Sequence, residues 1–222
     1  MTMPLNHPRL SKRAYSQGEL IADGFVHAAA IVAGLMAFSA LFARIATVGS
    51  VSDGLAMAVY AAGFFLLFGF SCAYNLVPES SLKWTLRRFD HSSIYLMIAG
   101  TYTAILSQLP DHTLAWTLAA VVWAGTFFGV GLKLFLPGRF DRSSILAYVA
   151  LGWVAVIAFK PLMQALPFSA LMLIVIGGVL YTGGIVFYRW HALKYQNAIW
   201  HGFVAGAAAC HFAAVLLAVG RS

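Results

Sequence analysis

Apolar stretches long enough to cross ~30 Å of hydrocarbon recur seven times along the chain. They lie at 21–47, 54–77, 91–109, 113–136, 143–159, 169–189 and 198–219. The fifth is the shortest and is interrupted near Lys160–Pro161, while Pro110, Pro137, Pro161 and Pro167 mark turns at span ends. The pattern predicts an all-α membrane protein: a polar tail over 1–20 and a seven-helix transmembrane bundle over 21–219. Polar residues enter the spans in few places, and four of these face a span end: Glu19, Asp23 and His27; Ser71 and Asn75; Asp90 and His91; Asn197 and His201. Seven spans consume most of the 222 residues, so any chemistry belongs inside the bundle or at its mouth.

Composition agrees, with 61% hydrophobic and 9% charged residues. A net charge of +7 would point to nucleic acid in a soluble domain, but its distribution argues against such a partner. One set of inter-span faces holds Arg9, Lys12, Arg13, Lys83, Arg87, Arg88, Lys133, Arg139, Arg142, Arg189 and Lys194, and the other holds Arg44, Lys160 and Arg221. This positive-inside bias places the N-terminus in the cytoplasm and the C-terminus outside, with a bacterial inner membrane as the expected location and membrane lipids as the expected partners. Lys133, slightly inside the fourth span, is expected to snorkel to the headgroups. The first apolar run is too long for a signal peptide. The segment Pro78–Phe89, with Lys83, Trp84, Arg87 and Arg88, suits a basic amphipathic stretch lying on the headgroups. Cys72 and Cys210 both fall within spans and imply no disulfide framework. Gly125/Gly129 and Gly202/Gly206, spaced by four, suit close helix packing within the bundle. Nothing in the chain specifies an oligomeric state.

Orientation fixes the depth of the polar groups. Glu19, Asp23 and His27, spaced i, i+4, i+8, share a helical stripe running inward from the cytoplasmic surface. Ser71 and Asn75 close span two about one turn from that surface; Asp90–His91 open span three, and Asn197 and His201 open span seven. Each has an ordinary explanation. Asp90 suits an N-cap, Ser71 a bond back to its own helix, Glu19 a solvated interface, and His27 and His211 cross-helix hydrogen bonds. Convergence of four helices at one depth points instead to a shared polar site. His211, about 15 Å deeper than His201 at helical rise, reads as a separate feature.

The run Leu86-Arg87-Arg88-Phe89-Asp90-His91-Ser92-Ser93-Ile94-Tyr95, continuing through Ile98-Ala99-Gly100-Thr101-Tyr102-Thr103, resembles the hemolysin III branch of the progestin and adipoQ receptor family. So do Ala198-Ile199-Trp200-His201 with His211-Phe212, and the Glu19…Asp23…His27 opening of span one. The resemblance implies a seven-helix bundle with an inside N-terminus. It also implies a zinc ion held by three histidines, one ending a Ser-x3-His motif in span two and two from a His-x3-His motif opening span seven. A nearby span-three aspartate, Asp90 here, would hold a metal-bound water. This chain departs from the pattern: Asn75 and Asn197 stand at two of the ligand positions, leaving His201 with Ser71 and Asp90. An amide oxygen is a poor zinc ligand, so His201, Asp90 and water make a weak site unless His91 or His27 contributes. Without metal, Asn75, Asn197, His201, Ser71 and Asp90 are expected to close a hydrogen-bond network.

Three functions follow as expectations. The first is a hemolysin III type membrane protein acting in lipid homeostasis. The second is a membrane-embedded metal-dependent hydrolase of lipid amide or ester bonds, with Asp90, His201 and Ser71 as its catalytic groups. The third is a pore or cytolytic protein, which the gathering of polar groups at one end disfavours.

Overall fold

The structure is a computed structural model, described here for residues 14–219 without the side chain of Arg142. Arg9, Lys12, Arg13 and Arg221, used in the charge count, lie outside the described residues. Eight α-helices and one 3-10 helix make up the described chain, with no strand among those residues. They are α1 (Gln17–Val48), α2 (Val51–Leu76), α3 (Ser81–Leu106), α4 (His112–Phe135), α5 (Asp141–Gly152), α6 (Phe159–Ala165), α7 (Phe168–Arg189) and α8 (Gln196–Ala218), with the 3-10 segment Val154–Ala158 between α5 and α6.

Local sequence sets the helix starts. Ser16 with Glu19 and Ser50 with Asp53 form capping boxes that satisfy the free amides of α1 and α2. Ser80 and Asp111 cap α3 and α4. Because α3 starts at Ser81, the basic stretch 83–88 forms its first turns and is not a separate segment. Asp90 is accordingly mid-helix and not an N-cap.

The break in the fifth span also differs from expectation. It comes after Gly152, and Pro161 sits in the first turn of α6, where a missing amide costs nothing. The Tyr102 hydroxyl bridges the break, donating to the Gly152 carbonyl at 2.9 Å and accepting from the Ala155 amide at 2.6 Å. Backbone groups freed inside a membrane need such partners.

Among the described residues six segments are long and apolar enough to cross a membrane: α1, α2, α4, α7, α8 and the stretch Ser143–Ala165, which joins most of α5 to α6. The protein is therefore an integral membrane protein with an all-helical fold. Helix α3 falls short on hydropathy because Lys83, Arg87, Arg88 and Asp90 occupy its first half. It tolerates them because it is the central helix, packing on α2, α4, α5 and α8. At its crossing with α2 the backbones meet through glycine. A methyl at Gly63 would lie 2.8 Å from the Leu96 carbonyl oxygen, and one at Gly100 3.0 Å from that of Val59. Helices α7 and α8 pair closely, and α1 closes the ring by touching both α2 and α8.

The distribution of side chains suits lipid. Large apolar residues such as Phe25, Met36, Phe127, Phe128 and Val186 point outward, while Glu19, Asp23, His27, Ser71, Arg87, Lys133 and His201 are buried. Phe38, Tyr60, Phe64 and Phe212 pack edge-on where α1, α2 and α8 meet.

Candidate functional site

Every member of the Glu19–Asp23–His27 stripe is buried, so α1 turns this face into the bundle. Its three residues do different things. Glu19 completes the capping box and accepts the Tyr195 amide at 2.9 Å, clamping the α7–α8 connection, where Tyr195 takes a left-handed backbone with φ 60°. Asp23 and His27, one turn deeper, join His201 and Ser71. His27 Nδ1 donates to the Asp23 carbonyl at 2.8 Å, and its Nε2 lies 3.0 Å from Ser71 Oγ. His201 Nδ1 meets Asp23 Oδ1 at 2.5 Å, and its Nε2 lies 3.3 Å from the same hydroxyl. The two imidazoles pack edge-on with centroids 4.4 Å apart. Asp90 flanks the cluster, its carboxylate interacting with Ser71 and His201.

Ser71 is thus not spent on its own helix. Asn75 makes that bond instead, its Nδ2 donating to the Ser71 carbonyl at 2.9 Å and reaching Ser71 Oγ at 3.3 Å. Asn75 Oδ1 accepts from Asn197 Nδ2 at 3.2 Å, and Asn197 Oδ1 accepts the Tyr15 hydroxyl at 3.4 Å. Ser71, Asn75, Asn197 and His201 are thus linked by hydrogen bonds between α2 and α8, with His27 and Asp23 of the wider polar group joined through Ser71 and His201, and Tyr15, which the sequence did not single out, through Asn197. The zinc set implied by positions 75, 197 and 201 does not fit this chain. Two of its three members are neutral amides whose polar atoms are engaged with each other, with Ser71 and with Tyr15.

His91 lies beside Asp90, between this cluster and a second one. Its Nε2 lies 3.8 Å from Asp90 Oδ2 and its Nδ1 3.9 Å from Asp141 Oδ1. Asp141, which the sequence pattern did not single out, accepts from Arg87 at 2.7 Å and from Lys133 at 3.0 Å. Lys133 is accordingly buried and ion-paired, and it does not snorkel. An attractive partner removes the need to reach the headgroups. Burial pushes the Asp141 carboxyl up, but the Arg87 guanidinium and the Lys133 ammonium override it and hold the group well below the usual carboxylate range. A lysine one turn inside a span, with an acid eight residues on, was the available signal. His211 donates to the Ile174 carbonyl at 3.1 Å beside Tyr181, and, contrary to its reading as a separate feature, it lines the same cavity as the polar cluster.

Both clusters line one cavity of about 480 Å³. His27, Ser71, Asn75, Asp90 and His201 mark its polar end, and Met97, Ile98, Val149, Ile185 and Val204 form apolar wall. Fold and site together define a helical integral membrane protein with a largely apolar cavity that carries a cluster of polar groups. Residues 19–212 match the model of the haemolysin-III related family, and the chain belongs to that family. It is 35% identical to "Hemolysin-3" of Bacillus cereus over 201 residues, 90% of this chain and 92% of that protein. It is 34% identical to "Hemolysin-3 homolog" of Bacillus subtilis (strain 168) over 198 residues, 89% and 93% of the two chains. A more distant likeness, 25% over 203 residues, is to "Monocyte to macrophage differentiation factor" of Homo sapiens, covering 89% of this chain and 83% of that one.

Proposed function

We propose that this chain acts in membrane lipid homeostasis by holding a lipid in the cavity. The polar head would sit against Ser71, Asn75, Asp90 and His201, and an acyl chain along the Met97, Ile98 and Val204 wall. The carrying observation is that cavity itself, polar at one end and apolar beyond, and of ligand-binding size. In this reading α3 is a span, and α5 with α6 forms another, making seven. The N-terminus is cytoplasmic and the C-terminus outside in a bacterial inner membrane, as the positive-inside bias supports. The polar end of the cavity then opens to the cytoplasmic leaflet.

Mass spectrometry of lipids retained by the purified protein tests the proposal. Wild type is expected to carry a lipid that Val204→Trp, which fills the wall, releases, and a deletion strain is expected to shift its acyl composition. A lipid-free protein together with an unchanged membrane composition would refute it.

A second reading, hydrolysis of a lipid amide or ester, is favoured by one observation: Ser71, Asp90 and His201 converge at the polar end of the same cavity. There Asp90 or His201 would take a proton from water while Ser71 steadies the oxygen gaining charge. Fatty acid release from a labelled lipid panel, abolished in Asp90→Ala, would establish it. The pore reading has less behind it, since the polar groups gather at one end; leakage of dye from liposomes would be its signature.

A further inference from the structure

We infer that Asp23, His27 and His201 form a divalent-metal site built from α1 and α8, in place of the set that includes the two asparagines. The inference does not depend on the lipid reading.

The hydrogen bonds already described leave the cluster with more lone pairs than protons. His27 Nδ1 faces a backbone carbonyl, which can only accept, so the proton is on Nδ1 and the Nε2 lone pair points at Ser71 Oγ. His201 Nδ1 faces the Asp23 carboxylate, so its Nε2 also turns a lone pair on Ser71 Oγ. That hydroxyl has one hydrogen for these two nitrogens and the neighbouring Asp90 carboxylate, and can satisfy only one of them. Asn75 Nδ2 adds nothing for them, because it too donates to Ser71. Independently, Asp23 Oδ2 is buried with no hydrogen-bond partner, on a residue that is 2% exposed. An unpartnered carboxylate oxygen at that depth is costly unless a cation meets it.

Two cations could balance this set. A proton on His201 completes a chain from Asp23 through His201 and Ser71 to His27, yet it leaves Asp23 Oδ2 without a hydrogen bond, its nearest imidazole nitrogen, His27 Nδ1, lying 3.8 Å away. A divalent ion takes both the surplus nitrogen lone pairs and the carboxylate. The donor geometry suits the second. One ligand atom from each of Asp23, His27 and His201 lies within 4.8 Å of the other two. Two histidines and a carboxylate are a familiar set for zinc with an open position, and for other first-row divalent ions. His27 is already held in its ligating tautomer by the Asp23 carbonyl, the kind of outer support that metal-bound histidines have. The cavity at Ser71 and His201 leaves room for an exchangeable ligand on the ion.

Zinc alone is the probe. The purified full chain is loaded with zinc, desalted, and assayed for metal by mass spectrometry, with affinities from chelator competition. Wild type is expected to keep about one ion per chain. Asp23→Asn and His27→Gln should each weaken binding by more than the roughly 10–100-fold that losing an outer partner costs. Asn75→Ala and Asn197→Ala should keep the metal, and His27→Cys, which restores a zinc donor, should recover it. Cobalt loading of wild type should give the visible bands of a four-coordinate ion, a readout that needs no variant to fold. A wild type that holds neither zinc nor cobalt overturns the inference. So does metal that survives Asp23→Asn and His27→Gln but is lost in Asn75→Ala.

Discussion

The bundle buries two polar clusters against one cavity, and they are chemical opposites. Around Asp141 both carboxylate oxygens are paired: Arg87 donates to one at 2.7 Å and Lys133 to the other at 3.0 Å, tying α3 and α4 to the start of α5. Around His201 there are two imidazoles and a hydroxyl, with the carboxylate of Asp23 among them and that of Asp90 flanking, one oxygen of Asp23 without a hydrogen bond and more acceptors than hydrogens. Burial alone therefore does not distinguish a structural ion pair from a site. Saturation does. A carboxylate whose oxygens are both paired holds helices together, whereas a cluster left short of protons is arranged to receive something.

Breaking the saturated cluster should have the largest effect. Asp141→Asn leaves Arg87 and Lys133 buried without their counter-charge, and the expected loss is about 3–5 kcal/mol. It would be read as a fall in the thermal unfolding midpoint of the solubilised protein. A change no larger than that of a surface variant would show the pair to be ornamental. Acid should reach the same interaction more gently. The Asp141 carboxyl titrates well below its ordinary value, so its contribution is complete above an unfolded pKa of ~3.9 and is lost as the pH falls toward the folded value. Wild-type stability should therefore hold from neutrality to about pH 5 and decline below about pH 4, with a flatter acid limb in Asp141→Asn. The unsaturated cluster should respond least. In metal-free protein Asp23→Asn keeps an oxygen for His201 Nδ1 and removes an unsolvated charge, so stability should stay within about 1 kcal/mol of wild type. Equal destabilisation by Asp23→Asn and Asp141→Asn would erase the contrast between the clusters.

Much of this was legible in the chain, and the failures share a cause. The stripe Glu19–Asp23–His27 faces the core as its i, i+4 spacing implied, and the asparagines at 75 and 197 do bond to each other. Asp90 misled because its helix starts ten residues earlier, at the Ser80 cap, which was hidden behind charged residues taken for a surface segment. Lys133 misled because a headgroup is the default partner for a lysine near a span end, and Asp141 is reached only once α4 and α5 fold back on each other. The fifth span breaks at Gly152 and not at Pro161, because Tyr102 of α3 is there to satisfy the opened backbone.

The sequence by itself determined where helices form, that they belong in a membrane, and which few residues could do chemistry there. Those properties follow from apolar length and charge distribution, both of which are read along the chain. The tertiary structure decided which of those residues meet. Asp23 and His201 are 178 residues apart and His27 and Ser71 are 44 apart, and their contact depends on how each helix is rotated about its own axis. That rotation is set by packing, including the close glycine crossing of α2 and α3, because a span apolar all round carries little directional signal of its own.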